Sequence, residues 1–572
     1  MFWSRRFPAA LFLALALYLG LAWSSVNSVG VVGEVAASWR AAPPAVAVGF
    51  DGGPVMARLG EAGPLAASQV RPLERLVIGP LSAPLAVNQY TGGPPDWPAR
   101  LVWALTASTR AVTALHVALG ALLLALVYRF LRFHGTDVAA AVAALVLACD
   151  WNFVFYRKVL GGTEVLLQAA GLLVLWAFWS RRWSGGRHGT IAVAVGVGLG
   201  LMAKATFLAT LGAFAVAALV TRWDRPALKP PPAPRWWAML GIVIALTSPL
   251  WVSWIHHGLA PSALPVRSHD FLGFQLERAL DGLGGSGANR ETGSTLLWFL
   301  VDPLAWFGAA LGEPGTGRGL SPSGWRLAGL GLLAAGTALE WRRRGNSPSS
   351  ALLRFLSIYA PLQTLALWAA NRDLHHLAQA APTWCLWFGL AVDRLAAPVT
   401  QPRSPLRALY GLALAMTWMV GGGRLLAATD PLIATLPAPL FAEQRQDALM
   451  ETLHTQSVSR LATSDYELYG LLEIRAEAAG RPLEVLHGWG ALSRARGGEA
   501  RTTALAGLLA SAVGGHYLAV RKTAPRIYDL NPSPSRLQEA AAAAGVSVEV
   551  VTSMRDDEGT WATLYAVSPA SP

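Results

Sequence analysis

Apolar residues in this chain are gathered into long blocks separated by short polar stretches, and the blocks set the first prediction. They fall at 9–26, 108–128, 138–156, 164–180, 190–203, 205–221, 236–255, 325–341, 351–370, 376–393 and 405–423. A helix needs about 20 mainly apolar residues to cross a hydrocarbon layer about 30 Å thick. The pattern therefore predicts a polytopic transmembrane helical bundle of about eleven spans. The stretch 190–221 is too long for one crossing and carries Lys204 near its middle, so it reads as two short spans meeting at the far face. The segment 294–312 is also apolar, but Asp302-Pro303 interrupts it, and it reads as lying on the outer face.

From about Asp430 the pattern changes. Short strand-like runs at 482–487, 517–521, 546–552 and 560–567 alternate with helical stretches at 465–479 and 534–544. That alternation predicts a small α/β domain. The expected organisation is a membrane domain over 1–425, with outer loops 27–107 and 256–324, followed by a soluble domain over 430–572. The fold class is mainly α.

Charge adds an orientation. Only 14% of the 572 residues are charged and 53% are hydrophobic, against about 25% charged in an average soluble chain. The net charge of +12 is concentrated in alternate loops. Arg129 and Arg132; Arg181, Arg182 and Arg187; Arg222, Arg225, Lys229 and Arg235; Arg342 to Arg344 and Arg354; and Arg394, Arg403 and Arg407 all fall on one side. Basic loops stay cytoplasmic. The N-terminus is then expected inside, behind a retained signal anchor at 9–26, and the odd number of spans sends the C-terminal domain outside. The expected location is a bacterial inner membrane. The basic excess reads as topology and contact with membrane lipids, and no nucleic-acid partner is expected. The two cysteines, Cys149 and Cys385, sit in separate apolar blocks and build neither a disulfide framework nor a zinc site.

Ionisable groups at membrane depth cost at least ~2.5–3.5 kcal/mol, so each is a functional candidate, with snorkelling to the interface as the ordinary alternative. The long first outer loop holds Phe50-Asp51-Gly52-Gly53, where Asp51 reads as a turn or cap aspartate or as a catalytic acid. Glu34, Glu61, Glu74 and Asp96 share that loop. The hinge after the third span runs from Asp150 through Arg157 and Lys158 to Glu164, and Lys204 ends a Gly-rich span. Between two late spans stand Arg372, His375 and His376, followed by Pro382. Adjacent histidines point apart on a helix and lack an i,i+4 partner. No metal and no other cofactor is expected.

Asp51, Glu164, Lys204 and Arg372 come from four distant segments, yet the predicted topology puts all four on the outer face. In this order the motifs resemble polytopic glycosyltransferases of the GT-C fold, bacterial members related to protein O-mannosyltransferases and to the aminoarabinose transferase of lipid A. The carrying residues are Phe50-Asp51-Gly52-Gly53 after the first span, Tyr156-Arg157 through Glu164, the glycines 196–200 before Lys204, and Arg372 through Pro382. The resemblance covers about residues 1–425. Pro54-Val55 stand where an aromatic residue often follows the loop acid, and the usual second acid beside Asp51 is missing.

The resemblance implies a sugar moved, with inversion, from a polyprenyl-phosphate donor to a hydroxyl of a lipid, glycan or protein acceptor on the outer face of the cell envelope. It implies catalytic roles for Asp51 and Glu164, with Lys204, Arg157, Lys158, Arg372, His375 and His376 binding the substrates. A polysaccharide polymerase or ligase and a lipid or solute transporter or flippase are the competing readings. The absence of internal repeats and the early position of the large outer loop weigh against them.

Overall fold

A computed structural model describes residues 9–23, 75–78, 81–84, 86–88, 91–106, 109–159, 162–184, 189–221, 233–259, 322–343, 345, 347–370, 377–397, 405–435, 443–465, 498–520, 531–556 and 559–570, together with isolated positions between 466 and 492. Its helices in the membrane part are α1 (Ala9–Trp23), α2 (Trp97–Thr106), α3 (Thr109–His134), α4 (Asp137–Ala148), α5 (Trp151–Val159), α6 (Gly162–Ser184), α7 (Gly189–Ala203), α8 (Phe207–Val220), α9 (Ala233–Leu259), α10 (Pro322–Arg343), α11 (Pro348–Ala370), α12 (Ala381–Ala396) and α13 (Pro405–Thr435). Among the described residues four stretches, at Arg110–His134, Thr163–Ser180, Pro348–Ala369 and Leu406–Ala427, are long and apolar enough to cross a membrane, and five shorter apolar helices accompany them. The eleven predicted blocks each coincide with a described helix, so the chain is a polytopic helical bundle.

Two breaks in that register matter for the site. The block 138–156 is two helices, because the chain turns at Cys149-Asp150 and restarts at Trp151. Asp150 makes this restart, its carboxylate accepting the backbone N–H of Phe153 at 3.1 Å as an N-cap. The block 190–221 divides at Lys204, as the lysine in mid-run suggests. There the bonds tighten to i→i+3, from Phe207 N–H to the Lys204 carbonyl and from Leu208 N–H to that of Ala205. The turn seats the Phe207 ring against Gly200, where any Cβ would overlap it.

The centre of the bundle is α4, whose Ala139, Ala140, Ala143, Ala144 and Ala148 are all buried. It packs on α1, α3, α12 and α13. Small residues let backbones approach where apolar surface gives no advantage over lipid. A Cβ at Gly389 of α12, for example, would lie 2.5 Å from the Ala139 carbonyl. Buried ion pairs fasten the opposite ends of these helices. Glu340 of α10 binds Arg354 of α11 and Arg394 of α12, each at 2.8 Å, and Asp393 binds Arg407 of α13 at 2.7 Å.

Past α13 lie α14 (Glu443–Thr455), β5 (Arg460–Thr463), β6 (Glu484–His487), α15 (Gly498–Ser511), β7 (His516–Val520), α16 (Pro534–Ala543), β8 (Val546–Asp556) and β9 (Gly559–Pro569). The earlier β1 (Arg75–Ile78) and β2 (Leu81–Pro84), and β3 (Ala86–Asn88) and β4 (Thr91–Gly92), form two small hairpins. The C-terminal sheet has order β6-β5-β7-β9-β8. Strands β6, β5 and β7 are parallel, and β9 is antiparallel to both β7 and β8. The sequence pattern anticipates four of these strands and α16 and misses β5, α14 and α15. One sheet face packs on α15 and α16 through Leu505, Leu508, Leu537 and Tyr517. The other shares a core with Ala99 and Trp103 of α2, Val112 of α3, and Leu449 and Leu453 of α14. The domain therefore sits at the bundle end where α3 begins.

Candidate active site

The described candidate residues converge at that same end. Helix α6 opens at Gly162 and carries Glu164 in its first turn, where the exposed N–H groups and the helix dipole favour an anion. Helix α7 runs the opposite way and ends at Ala203, delivering Lys204 to the start of α6. The two helices pack along their length. Gly196 makes this close, since a Cβ there would press on Val174 and on the Ala170 carbonyl.

Glu164 is 2% exposed and Lys204 8%, and Lys204 Nζ stands 3.8 Å from Glu164 Oε1. That separation is an ion pair longer than a direct hydrogen bond, which would be about 2.7–3.2 Å. A buried carboxylate facing a buried ammonium is costly to assemble, and such a pair inside a membrane bundle is a functional candidate.

Two 3-10 turns close around the pair. Pro94–Asp96 packs on both α6 and α7 and brings in Asp96, buried to 2%. Ala378–Ala380 packs on α5 and α6. It is held by Gln168, one helical turn beyond Glu164, whose amide nitrogen donates to the Ala378 carbonyl at 2.5 Å. Asp96, a secondary candidate in the sequence, thus joins the site. Gln168 carried no sequence signal, being a single polar residue in an apolar run.

A second polar cluster lies beside the first at the α4–α5 turn. Asp150 Oδ2 meets Arg326 Nη1 of α10 at 3.4 Å, with both side chains 3% exposed. Trp418 of α13 donates its indole N–H to the same oxygen at 3.3 Å, and the Arg326 guanidinium lies 4.8 Å from the Trp418 ring centroid. A small cavity of about 20 Å³ adjoins them, lined by Asn152, Thr364, Leu377 and Trp384 among others, with room for about one water. Arg326 lies one residue inside the predicted span 325–341 and was not a sequence candidate. Only the fold shows that it reaches an acid 176 positions away.

Of the remaining sequence candidates, Arg157 and Lys158 lie on α5, the helix capped by Asp150 and leading to Glu164. Asp51, Arg372, His375 and His376 lie outside the described residues, as does the segment 294–312. The turn beginning at Leu377 follows His376 directly in the chain. Among the described residues there is no group of three or more His, Cys, Asp or Glu that could hold a metal ion.

No protein-family model matches the chain, and no curated protein matches it. Solved structures do. ArnT from Cupriavidus metallidurans bound to undecaprenyl phosphate aligns over 99% of this chain and 100% of its own, at 13% identity and a TM-score of 0.51. The apo state of the same protein aligns over 98% of both chains, at 14% identity and a TM-score of 0.52. At this level of identity the likeness is one of fold, and it spans the bundle and the C-terminal domain together. The chain is a polytopic helical bundle that shares the fold of these two structures and carries a C-terminal α/β domain.

Proposed function

We propose that this chain is an integral membrane glycosyltransferase that moves a sugar from a polyprenyl-phosphate donor to an acceptor hydroxyl, with inversion, at the outer face of the bacterial inner membrane. The observation that carries the reading is the buried Glu164–Lys204 pair, 3.8 Å apart. It lies at one end of a bundle whose fold matches, over its full length, a protein solved with undecaprenyl phosphate bound.

In the proposed reaction the acceptor oxygen attacks the anomeric carbon, the bond from that carbon to the phosphate oxygen breaks, and the acceptor proton passes to a carboxylate. Asp51 is the proposed general base. Negative charge grows on the departing lipid phosphate, and fixed cations in a site with little water stabilise it most where it develops. Lys204 is a compact point charge suited to a phosphate, and Arg157, Lys158 and Arg372 are the further proposed cations. The proposed part of His375 and His376 is to donate hydrogen bonds to the substrates. Glu164 holds Lys204 in place and, when the phosphate draws the ammonium away, becomes available to a substrate hydroxyl. The acceptor is a lipid, a glycan or a protein.

The test uses membranes from cells expressing the wild type, Asp51→Asn, Glu164→Gln or Lys204→Met, supplied with labelled undecaprenyl-phosphate sugars. Each substitution is expected to reduce transfer by about 10²-fold or more at matched expression, the usual scale for removing one preorganised charge-stabilising group. Equal transfer by the wild type and all three variants would remove the site. A reporter fused after Pro572 tests orientation, and a cytoplasmic signal would invert the proposed topology.

A further inference from the structure

Gln379, in the middle of the 3-10 turn Ala378–Ala380, is 3% exposed, and among the described residues neither its amide oxygen nor its amide nitrogen has a hydrogen-bond partner. Burying an amide without a partner is unfavourable, and buried polar side chains are normally satisfied. The neighbouring backbone is well held, since Gln168 fastens the Ala378 carbonyl. The unsatisfied amide is therefore set into a positioned turn that packs on the helix carrying Glu164. A second orphan lies close to the other member of the pair. Thr206, two residues past Lys204, is buried, and its hydroxyl also lacks a partner; it makes no cap bond to α8.

The kind of group that would satisfy Gln379 follows from its chemistry. A phosphate oxygen only accepts and would suit the amide nitrogen alone. A cation only donates and would suit the oxygen alone. A hydroxyl both donates and accepts, and two neighbouring hydroxyls on a ring satisfy both ends of one amide together.

We infer that Gln379 reads the hydroxyl groups of the sugar carried by the donor lipid, a role that rests on the proposed glycosyl transfer. The amide is enclosed in this structure, so contact requires the side chain to swing out of its turn or the turn to lift from α6. The side-chain bond from Gln168 to Ala378 is then one tether on that movement.

The full-length protein in detergent provides the test, by thermal shift with undecaprenyl phosphate and with its glucosyl, mannosyl and 4-amino-arabinosyl derivatives. Gln379→Leu and Gln379→Met keep the side-chain volume and remove the unsatisfied amide, so both are expected to fold as well as the wild type without ligand. Both are expected to bind undecaprenyl phosphate unchanged and to bind the preferred sugar derivative at least tenfold more weakly. If both variants lose folded protein, the amide is structural and the inference is wrong. If they bind sugar-bearing and bare lipid with the wild-type ratio, it is also wrong. A wild type that binds none of the four lipids would overturn the glycosyltransferase reading itself, an outcome distinct from either of these.

Discussion

Asp150 spends one carboxylate oxygen on the N-terminus of α5 and the other on Arg326 and Trp418. Both side chains are almost fully buried, so each ion depends mainly on the other and on its protein hydrogen bonds. Removing one member of such a pair costs about 3–5 kcal/mol because the other charge stays buried and uncompensated. Arg326→Met is therefore expected to lower stability by that amount. Adding Asp150→Asn is expected to recover part of the loss, since it removes the stranded charge. Denaturation of the two variants and of the single Asp150→Asn protein completes the cycle, and additive losses would show that the ions do not couple.

At this scale the sequence was partly legible. Glu164 and Lys204 stood out because ionisable groups in apolar runs are rare, and the fold pairs them. Arg326 did not stand out, because a basic residue near a span end is explained equally well by snorkelling. Gln379 was invisible too, since a lone glutamine beside a proline-containing helix carries no charge signal. Its significance arises from enclosure, which only packing creates.

The elements were the most legible part, for a physical reason. Lipid allows no unsatisfied backbone, so every crossing is an apolar helix and its extent is written in composition alone. What composition does not show is where a crossing breaks. The α7–α8 turn depends on Gly200 admitting the Phe207 ring, a contact between residues seven apart. Gly200→Ala is expected to cost about 1–3 kcal/mol through overpacking and to lower transfer activity by misplacing Lys204. Gly200→Ala combined with Phe207→Leu is expected to recover most of the stability. A single variant as stable and active as the wild type would show that the turn is set elsewhere. In the C-terminal domain β5 was missed for the opposite reason. Arg460–Thr463 is buried continuously from Leu461 to Thr463, so no period-two alternation marks it, and its place between β6 and β7 comes from tertiary pairing.

For the whole molecule, the C-terminal domain and the segment leading into α3 share one apolar core, which holds Trp103 of α2 with Leu449, Leu453 and Trp561. Within the domain, β7 carries His516, and burial pushes its imidazole below the ordinary value of about 6.5. The folded state then prefers the neutral ring, while the unfolded chain takes up a proton first as pH falls. The His516 contribution is thus fully present above about pH 6.5 and is lost as pH drops through that value toward the depressed one. Hydrogen exchange over 516–520 and 559–569, corrected for intrinsic rates, is expected to show weaker protection at about pH 5.5 than at 7.5. His516→Gln is expected to flatten that difference. Unchanged protection in the wild type would show that the ring titrates alike in both states.

The shared core also sets an order of assembly. Trp103 leaves the ribosome roughly 350 residues before its partner Leu449, a delay of about 20–70 s at ordinary elongation rates. Through that interval one face of α2 has no cover, and the turn carrying Asp96 lies directly before it. The domain that covers α2 is thus made after the described membrane helices, so a product truncated before Glu443 would carry those helices and still lack the cover of α2.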